Sequence, residues 1–352
     1  MMTYMDVIGQ NVTILSFINK YYFGYTAGKH SIQKESAMLW QAEQVKKQIP
    51  PLGFEGQDGP MAKEVGLYNQ YYGLDFETRF ENLSHTVGTF EVAGFNIVAH
   101  VYKFEHGKGT AYIHHGYYDH VGIYGNIIEH CLQQGFNVFI YDLPGHGLSS
   151  GERAGIESFS QYDEVFNAGL NLIQKNLPQP LALMGQSTGG AVIINYLLSR
   201  GITRQSSPFK KIVLMAPLVR PVSWGTGQFF YYLVRPFTEK VKRVFAVNSG
   251  NEDFLKFISK NDPLQPLFLR TSWVGALKKW IKIIEASKPV DLDVHVIQGT
   301  DDGTVDYRYN MKVLEKKFSG FRVKYVVQGR HQLVNEDSEK LQQVLSALTP
   351  LV

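Results

Sequence analysis

The sequence predicts an α/β fold: a mostly parallel central sheet, helices on both of its faces, and an inserted cap. Three observations predict it. Short apolar runs recur along the chain, amphipathic stretches of helical period separate them, and one long basic, aromatic interval breaks the alternation.

Regular patterning begins near Thr78. "TRFENLS", "TVGTFEV" and "FNIVAHVYKF" alternate apolar and polar residues and break at Gly94 and Gly107, as antiparallel strands do. Six buried-strand patterns follow: "AYIHHG", "FNVFIYD", "LALMG", "KIVLMAP", "DVHVIQG" and "FRVKYVVQG". Helical stretches lie among them, including "VGIYGNIIEHCLQQG", "SQYDEVFNAGLNLIQKNL", "AVIINYLLSRG" and "DSEKLQQVLSAL". Right-handed βαβ units account for such alternation, and a sheet built from them binds ligands at the carboxyl ends of its strands. The turns just after each strand are therefore the places to search.

Two regions stand outside the alternation. Residues 1–75 form an aromatic-rich N-terminal extension, helical in parts, with residues 32–45 read as a helix bounded by Pro50-Pro51. Residues 220–288 fall between two regular strands and far exceed a crossover, which makes them the cap. Residues 76–219 and 289–352 are then the two parts of the core. The cap holds 12 Lys and Arg against 5 Asp and Glu, a net +7 in a chain whose total is only +3.

That total does not suggest nucleic acid. The single Cys131 rules out an internal disulfide and points to a reducing compartment. The N-terminus, "MMTYMDVIGQNVTILSFINKYYFGY", has no basic n-region and no apolar run of membrane-spanning length. A cytoplasmic protein follows as the expectation, with peripheral contact at the inner face of the membrane. G-x-G-x-x-G after a strand, the phosphate-loop pattern and H-E-x-x-H are all absent, so no cofactor and no metal are expected.

The pattern G-x-S-x-G occurs twice, at Ser149 and at Ser187. Ser187 directly follows "LALMG" and precedes "TGGAVIINYLLSRG", the strand, sharp turn and helix of a nucleophile elbow. Ser149 is separated from its strand by "YDLPGHG" and opens no apolar helix, so it reads as part of a loop with φ > 0 glycines.

A serine hydroxyl needs a base, and the base needs a carboxylate to fix its tautomer. His331 follows the last strand in "GRHQLVNED", in the order Ser, Asp, His expected of this arrangement. "GTDDGTVD" offers Asp301, Asp302 and Asp306. Asp302 is favoured, with Asp301 read as a turn residue and the main alternative, and Asp306 as a helix N-terminal residue. An oxyanion hole then requires two N–H groups. One belongs to Thr188, and the other to the loop after "TAYIHHG", where an H-G pair precedes Tyr117. His114 and His115 find no third ligand at metal spacing.

Together "HHGYYDH", "DLPGHGLSSGERAGIESF", "GQSTGG", "GTDDGTVD" and "GRHQLVNE" resemble the α/β-hydrolase family of monoacylglycerol lipases and bacterial lysophospholipases. The resemblance covers roughly residues 90–348. It implies an α/β-hydrolase fold, with Ser187 as nucleophile, Asp302 as acid and His331 as base. It also implies the backbone N–H groups of Tyr117 and Thr188 as the oxyanion hole. One departure stands out: the family's oxyanion stretch usually reads H-G-x-G-[ED]-H, and Tyr118 replaces its second glycine, which narrows the acyl entrance.

The cap bears on substrate. Its aromatic residues include Trp224, Phe229, Phe230, Phe237, Trp273 and Trp280. In "ALKKWIKIIEAS", Leu277, Trp280, Ile281 and Ile284 share one helical face while Lys278, Lys279 and Lys282 lie off it. Packing of the cap onto the core is one account of this composition. The other is a lid that takes an acyl chain on its apolar side and meets phosphate or an anionic membrane on its basic side. The expected activity is hydrolysis of a carboxylic ester in a lysophospholipid or monoacylglycerol, through an acyl-enzyme. A peptidase resembling proline aminopeptidases, or a non-catalytic binding protein on the same fold, are the alternatives.

Overall fold

A computed structural model describes residues 40–54 and 61–349 of the 352-residue chain. Its frame is an eight-stranded sheet. The strands are β1 (Leu83–Val92), β2 (Phe95–Phe104), β3 (Thr110–His114), β4 (Asn137–Tyr141), β5 (Leu181–Gln186), β6 (Phe209–Met215), β9 (Val290–Gly299) and β10 (Phe318–Val326), in spatial order β1-β2-β4-β3-β5-β6-β9-β10. The β1–β2 and β2–β4 pairs are antiparallel and every later pair is parallel. This is the α/β-hydrolase fold.

Burial on both faces explains why these strands read as unbroken apolar runs. Along β5, Leu181 and Leu183 enter one hydrophobic cluster while Ala182 and Met184 enter the other. On β3, Tyr112 faces the first cluster, and Ala111 and Ile113 face the second. Helices α4 (Phe159–Asn176), α5 (Thr188–Ser199) and α9 (Tyr307–Lys317) contribute to the first cluster. Helices α3 (Gly125–Gln133) and α10 (Ser338–Leu348) contribute to the second. Cys131 sits in the second cluster, where burial pushes its thiol up to about 12. Helix α4 starts on a capping box in which Ser158 accepts from the Ser160 N–H and Gln161 reaches back to the Ser158 N–H.

Two expectations need revision. "TRFENLS" is not a strand: the chain makes a 3₁₀ turn at Phe76–Thr78, and β1 starts only at Leu83. The Thr78 hydroxyl donates to the Asp75 carbonyl, a local bond that competes with extended pairing. The N-terminal helix is α1 (Ala42–Gln48); residues 32–39 of the expected one lie outside the described residues. The described part of the N-terminal region packs onto the core. Trp40, Val45, Tyr68, Leu74 and Phe76 are buried in the second cluster, and Leu52 bonds to Thr89 of β1.

Between β6 and β9 lie α6 (Trp224–Val234), the short antiparallel pair β7 (Lys240–Lys242) and β8 (Phe268–Arg270), α7 (Glu252–Lys260) between those two strands, and α8 (Thr271–Ala286). Helix α8 behaves differently from a lid that offers its apolar side to a ligand. Leu277, Trp280, Ile281 and Ile284 are buried in the core, where Trp280 stacks on Phe159 at 4.6 Å and donates to Asn195. The apolar side of α8 is thus spent on packing.

Candidate active site

Strand β5 ends at Gln186 and α5 begins at Thr188, which leaves Ser187 alone in the turn at φ 52°, ψ −112°. A non-glycine residue there carries about 1–3 kcal/mol of strain, so its surroundings must hold it. The Ser187 N–H donates to Met215 O at 2.9 Å, and Ser187 O accepts from the Leu218 N–H at 3.1 Å. A side chain at position 189 would run into the His114 and His115 carbonyls, so only glycine lets the helix start settle onto β3.

Two later strand ends bring their loops to the same place. His331 Nε2 lies 2.9 Å from Ser187 Oγ, and His331 Nδ1 lies 2.8 Å from Asp302 Oδ2. All three residues are buried. Asp302 Oδ1 accepts from the Thr304 and Val305 N–H groups, and Oδ2 also accepts from Gln298 Nε2. Burial raises the carboxyl, but the His331 charge and these hydrogen bonds outweigh it and hold Asp302 below its usual range. Burial likewise depresses His331, yet the charge and hydrogen bond of Asp302, with Asp119 behind them, leave it raised. Gln186 donates to the His331 carbonyl at 2.7 Å and fixes the base loop to the elbow strand. In this arrangement Nδ1–H is directed at the carboxylate and Nε2 can accept the serine proton.

The other carboxylates lie elsewhere. Asp301 is exposed, its N–H donating to Gly329 O. Asp306 caps α9 by accepting from the Tyr309 N–H, and it pairs with Arg220 at 2.8 Å. Among the described residues, His114 and His115 belong to no group of three or more side chains that could hold a metal ion. The His114 ring packs against Tyr112 and Phe166, while His115 Nε2 accepts from the Leu143 N–H.

The loop after β3 reaches the serine. A Cβ on Gly116 would stand 3.3 Å from Ser187 Cβ, so the loop that continues into Tyr117 passes beside the elbow, where α5 begins at Thr188. Tyr118 keeps the glycine-like conformation, at φ 70°, although it carries a ring. The loop is pinned by Asp119, the acidic residue of the H-G-x-G-[ED]-H stretch, whose role the motif alone left unassigned. Its Oδ2 accepts from the Gly116 N–H at 3.2 Å and Tyr124 Oη at 2.9 Å, and its Oδ1 accepts from Gln332 Nε2 at 2.7 Å. Gln332 follows His331, so one carboxylate joins the loop beside Ser187 to the loop of the base.

Residues of the interval between β6 and β9 and of α2 (Lys63–Tyr72) also contact this loop. Trp273 of α8 stacks on Tyr117 at 3.8 Å. Asp262, after α7, accepts from His120 Nε2 at 2.8 Å and from Tyr72 Oη at 2.7 Å. Tyr72 ends α2 of the extension. The charge of His120 and its hydrogen bond, against the burial that opposes them, hold Asp262 down at about 2.

The fold and this serine, histidine and aspartate constellation define an α/β-hydrolase. The family model described as serine aminopeptidase, S33 (Hydrolase_4) matches residues 105–338, and the chain belongs to that family. Among curated relatives, monoglyceride lipase of Rattus norvegicus is 30% identical over 113 residues, which is 32% of this chain and 36% of that protein. Phospholipase YtpA of Bacillus subtilis is 27% identical over 207 residues, 54% of this chain and 75% of that protein. The chain thus matches little more than a third of the length of the mammalian relative. Among solved structures, a soluble variant of the Saccharomyces cerevisiae monoglyceride lipase with a substrate analog superposes with a TM-score of 0.64 at 16% identity, over 76% of this chain and 94% of that one. The Paleococcus ferrophilus monoacylglycerol lipase gives 0.60 at 18%, over 75% and 100%. At these identities the structural likeness speaks for the fold.

Proposed function

We propose that the chain is a serine carboxylester hydrolase acting on single-acyl-chain lipids, a lysophospholipid or a monoacylglycerol, with Ser187, His331 and Asp302 as its catalytic residues. The observation that carries this reading is the continuous path from Ser187 Oγ through His331 to Asp302 at the elbow. Ser187 Oγ attacks the ester carbonyl carbon while His331 Nε2 takes its proton. The oxyanion forms against the N–H groups of Tyr117 and Thr188. Collapse breaks the bond to the alcohol, which leaves with the proton from His331, and acyl-Ser187 remains. Water then attacks the acyl carbon and gives its proton to His331. The carboxylic acid departs as Ser187 is reprotonated.

Lipid is favoured as substrate because the matching relatives include proteins named monoglyceride lipase and phospholipase. A peptidase would need an acidic group for its substrate amine. The nearby Asp119 already accepts from Gly116, Tyr124 and Gln332, and the cap is basic.

The cap also supports peripheral contact with an anionic membrane surface, a reading that goes with a cytoplasmic location at the inner leaflet. No helix among the described residues is long and apolar enough to cross a membrane. Helix α6 buries none of its residues, and Phe229, Tyr232, Leu233 and Phe237 stand exposed, with Lys278 over the Tyr232 ring and Lys240 over that of the exposed Phe268.

The test is covalent. Purified protein is expected to label with a fluorophosphonate probe and to release fatty acid from monoacylglycerol or lysophospholipid, and Ser187→Ala is expected to lose both. Labelling that survives in Ser187→Ala would sink the assignment.

A further inference from the structure

Arg243 is the first residue after β7 and lies over the loop that carries the Tyr117 amide. Its guanidinium carbon is 3.9 Å from the centre of the Tyr118 ring and 4.4 Å from that of Phe245. Nη1 donates to Gln265 Oε1 at 2.7 Å and to the Pro266 carbonyl. Gln265 is held in turn by Asp262. The head group is therefore stacked, oriented and anchored along one edge. Among the described residues, no carboxylate comes within 4 Å of it, and neither Nε nor Nη2 has a hydrogen-bond partner.

Arg243 is half-buried, and Asp119 and Asp262 act on it only from beyond ion-pair distance, so an anion reaching its open edge meets a preoriented charge with no ion-pair partner of its own. Burial accordingly pushes Arg243 down, with Tyr118 and Asp119 opposing the shift. The open Nε and Nη2 edge has the fork geometry that grips two oxygens of a phosphate or carboxylate. Tyr118 supplies the platform: it stands where a glycine conformation is required and pays that strain with a ring on which the guanidinium rests.

We propose that Arg243 is a specificity residue that binds the phosphate of an anionic head group on the alcohol side of the scissile ester, so that lysophospholipids are preferred over neutral monoacylglycerols. This rests on the ester-hydrolase reading above. A monoacylglycerol has no charge to offer and leaves the fork unpaired. A lysophospholipid carries its phosphate on the same glycerol as its ester, and Arg243 rests on the ring of Tyr118, the residue next to the Tyr117 amide.

The test compares kcat/KM for 1-palmitoyl lysophosphatidylglycerol and 1-monopalmitoylglycerol in the same detergent micelles, with the full chain. Fluorophosphonate labelling of each variant reports an intact Ser187. In Arg243→Gln the ratio of lysophospholipid to monoacylglycerol kcat/KM is expected to fall roughly 10- to 100-fold, mostly through KM. Arg243→Lys, which keeps the charge but loses the fork, is expected to recover part of it. Inorganic phosphate distinguishes a head group from a free anion. Competition by phosphate with lysophospholipid in wild type, weakened in Arg243→Gln, supports the proposal. Phosphate binding that depends on Arg243 while the substrate ratio does not would make the ligand a free anion and overturn it. Equal loss on both substrates with labelling intact would reduce Arg243 to a prop for the loop. Wild type that labels but prefers the monoacylglycerol also overturns the proposal and leaves the hydrolase reading standing; failure to label overturns that reading instead.

Discussion

Ser149 and Ser187 sit in the same five-residue pattern, both are buried, and their surroundings share almost nothing. Ser187 stands alone between a strand and a helix, with its Oγ against an imidazole. Ser149 donates its hydroxyl proton to the Asp142 carbonyl at 2.7 Å and accepts from the Val98 N–H at 2.9 Å. The glycines differ in purpose as well. Gly189 lets a helix approach a strand, whereas Gly147, at φ 49°, wraps the loop around the Asp142 carboxylate, which would collide with any side chain there. What the pair teaches is that glycines make a sharp turn possible, and only the elements on either side decide what the serine between them does.

Removing the partners of Ser187 should break the comparison most strongly. His331→Ala is expected to lower kcat for ester hydrolysis by at least about 10³-fold, and Asp302→Asn by about 10³- to 10⁴-fold, since the amide no longer holds the imidazole tautomer. Steady-state kinetics on a monoacylglycerol would check both. Asp302→Asn that retains full activity would transfer the role of the acid to Asp301 or to no residue at all.

A smaller effect is expected in the pH dependence. His331 must be neutral at Nε2 to accept the serine proton, and Asp302 holds its pKa above the ordinary value of about 6.5. kcat/KM should therefore fall on an acid limb that lies above that value. In Asp302→Asn burial is opposed only by the charge of Asp119, and the residual activity should persist to lower pH. Stability runs the other way. A group whose pKa is raised on folding contributes stability that is fully present below its unfolded pKa and is lost as pH rises through the folded one. The pH range in which the base becomes competent is thus the range in which its ion pair stops stabilising the fold. A limb that does not move in Asp302→Asn would contradict this coupling.

How much of this was legible depended on whether local pattern and long-range contact agreed. The sheet was legible because burial on both faces leaves a continuous apolar signature, and the order of Ser187, Asp302 and His331 after three strands carried their convergence. The role of Asp119 was not: its place in the H-G-x-G-[ED]-H stretch was visible, but its bonds to a backbone amide, a phenol and Gln332 form only once the loops are folded together. Tyr118 was visible only as a departure, and Arg243 was one of twelve basic residues in the cap. The two aromatic cap helices divide by periodicity. In α8 the apolar residues recur at helical spacing and pack inward, so Trp280→Ala should cost about 3–5 kcal/mol by thermal or denaturant unfolding. In α6, "WGTGQFFYYLV" crowds its apolar residues all round, no single face can be buried, and Phe229 remains 62% exposed.

Ser149→Ala sharpens the comparison from the other side, with the smallest expected effect. Pairing of β2 with β4 stops at Ala99 and Tyr141, and one residue further on the Val98 N–H turns to Ser149 Oγ. Ser150 then exchanges bonds with Asn96, accepting its N–H at Oγ and donating its own N–H to the Asn96 carbonyl. The two serines thus continue the ladder where the strand has run out. Alanine at 149 leaves a buried N–H without a partner, which costs about 1–3 kcal/mol and would appear as a lower unfolding midpoint. The rate of fluorophosphonate labelling should stay within about two-fold of wild type, because no bond of Ser149 reaches Ser187, His331 or Asp302. Labelling that disappears while the protein stays folded would mean that the loop around Asp142 sets the elbow, and that the two serines are not independent after all.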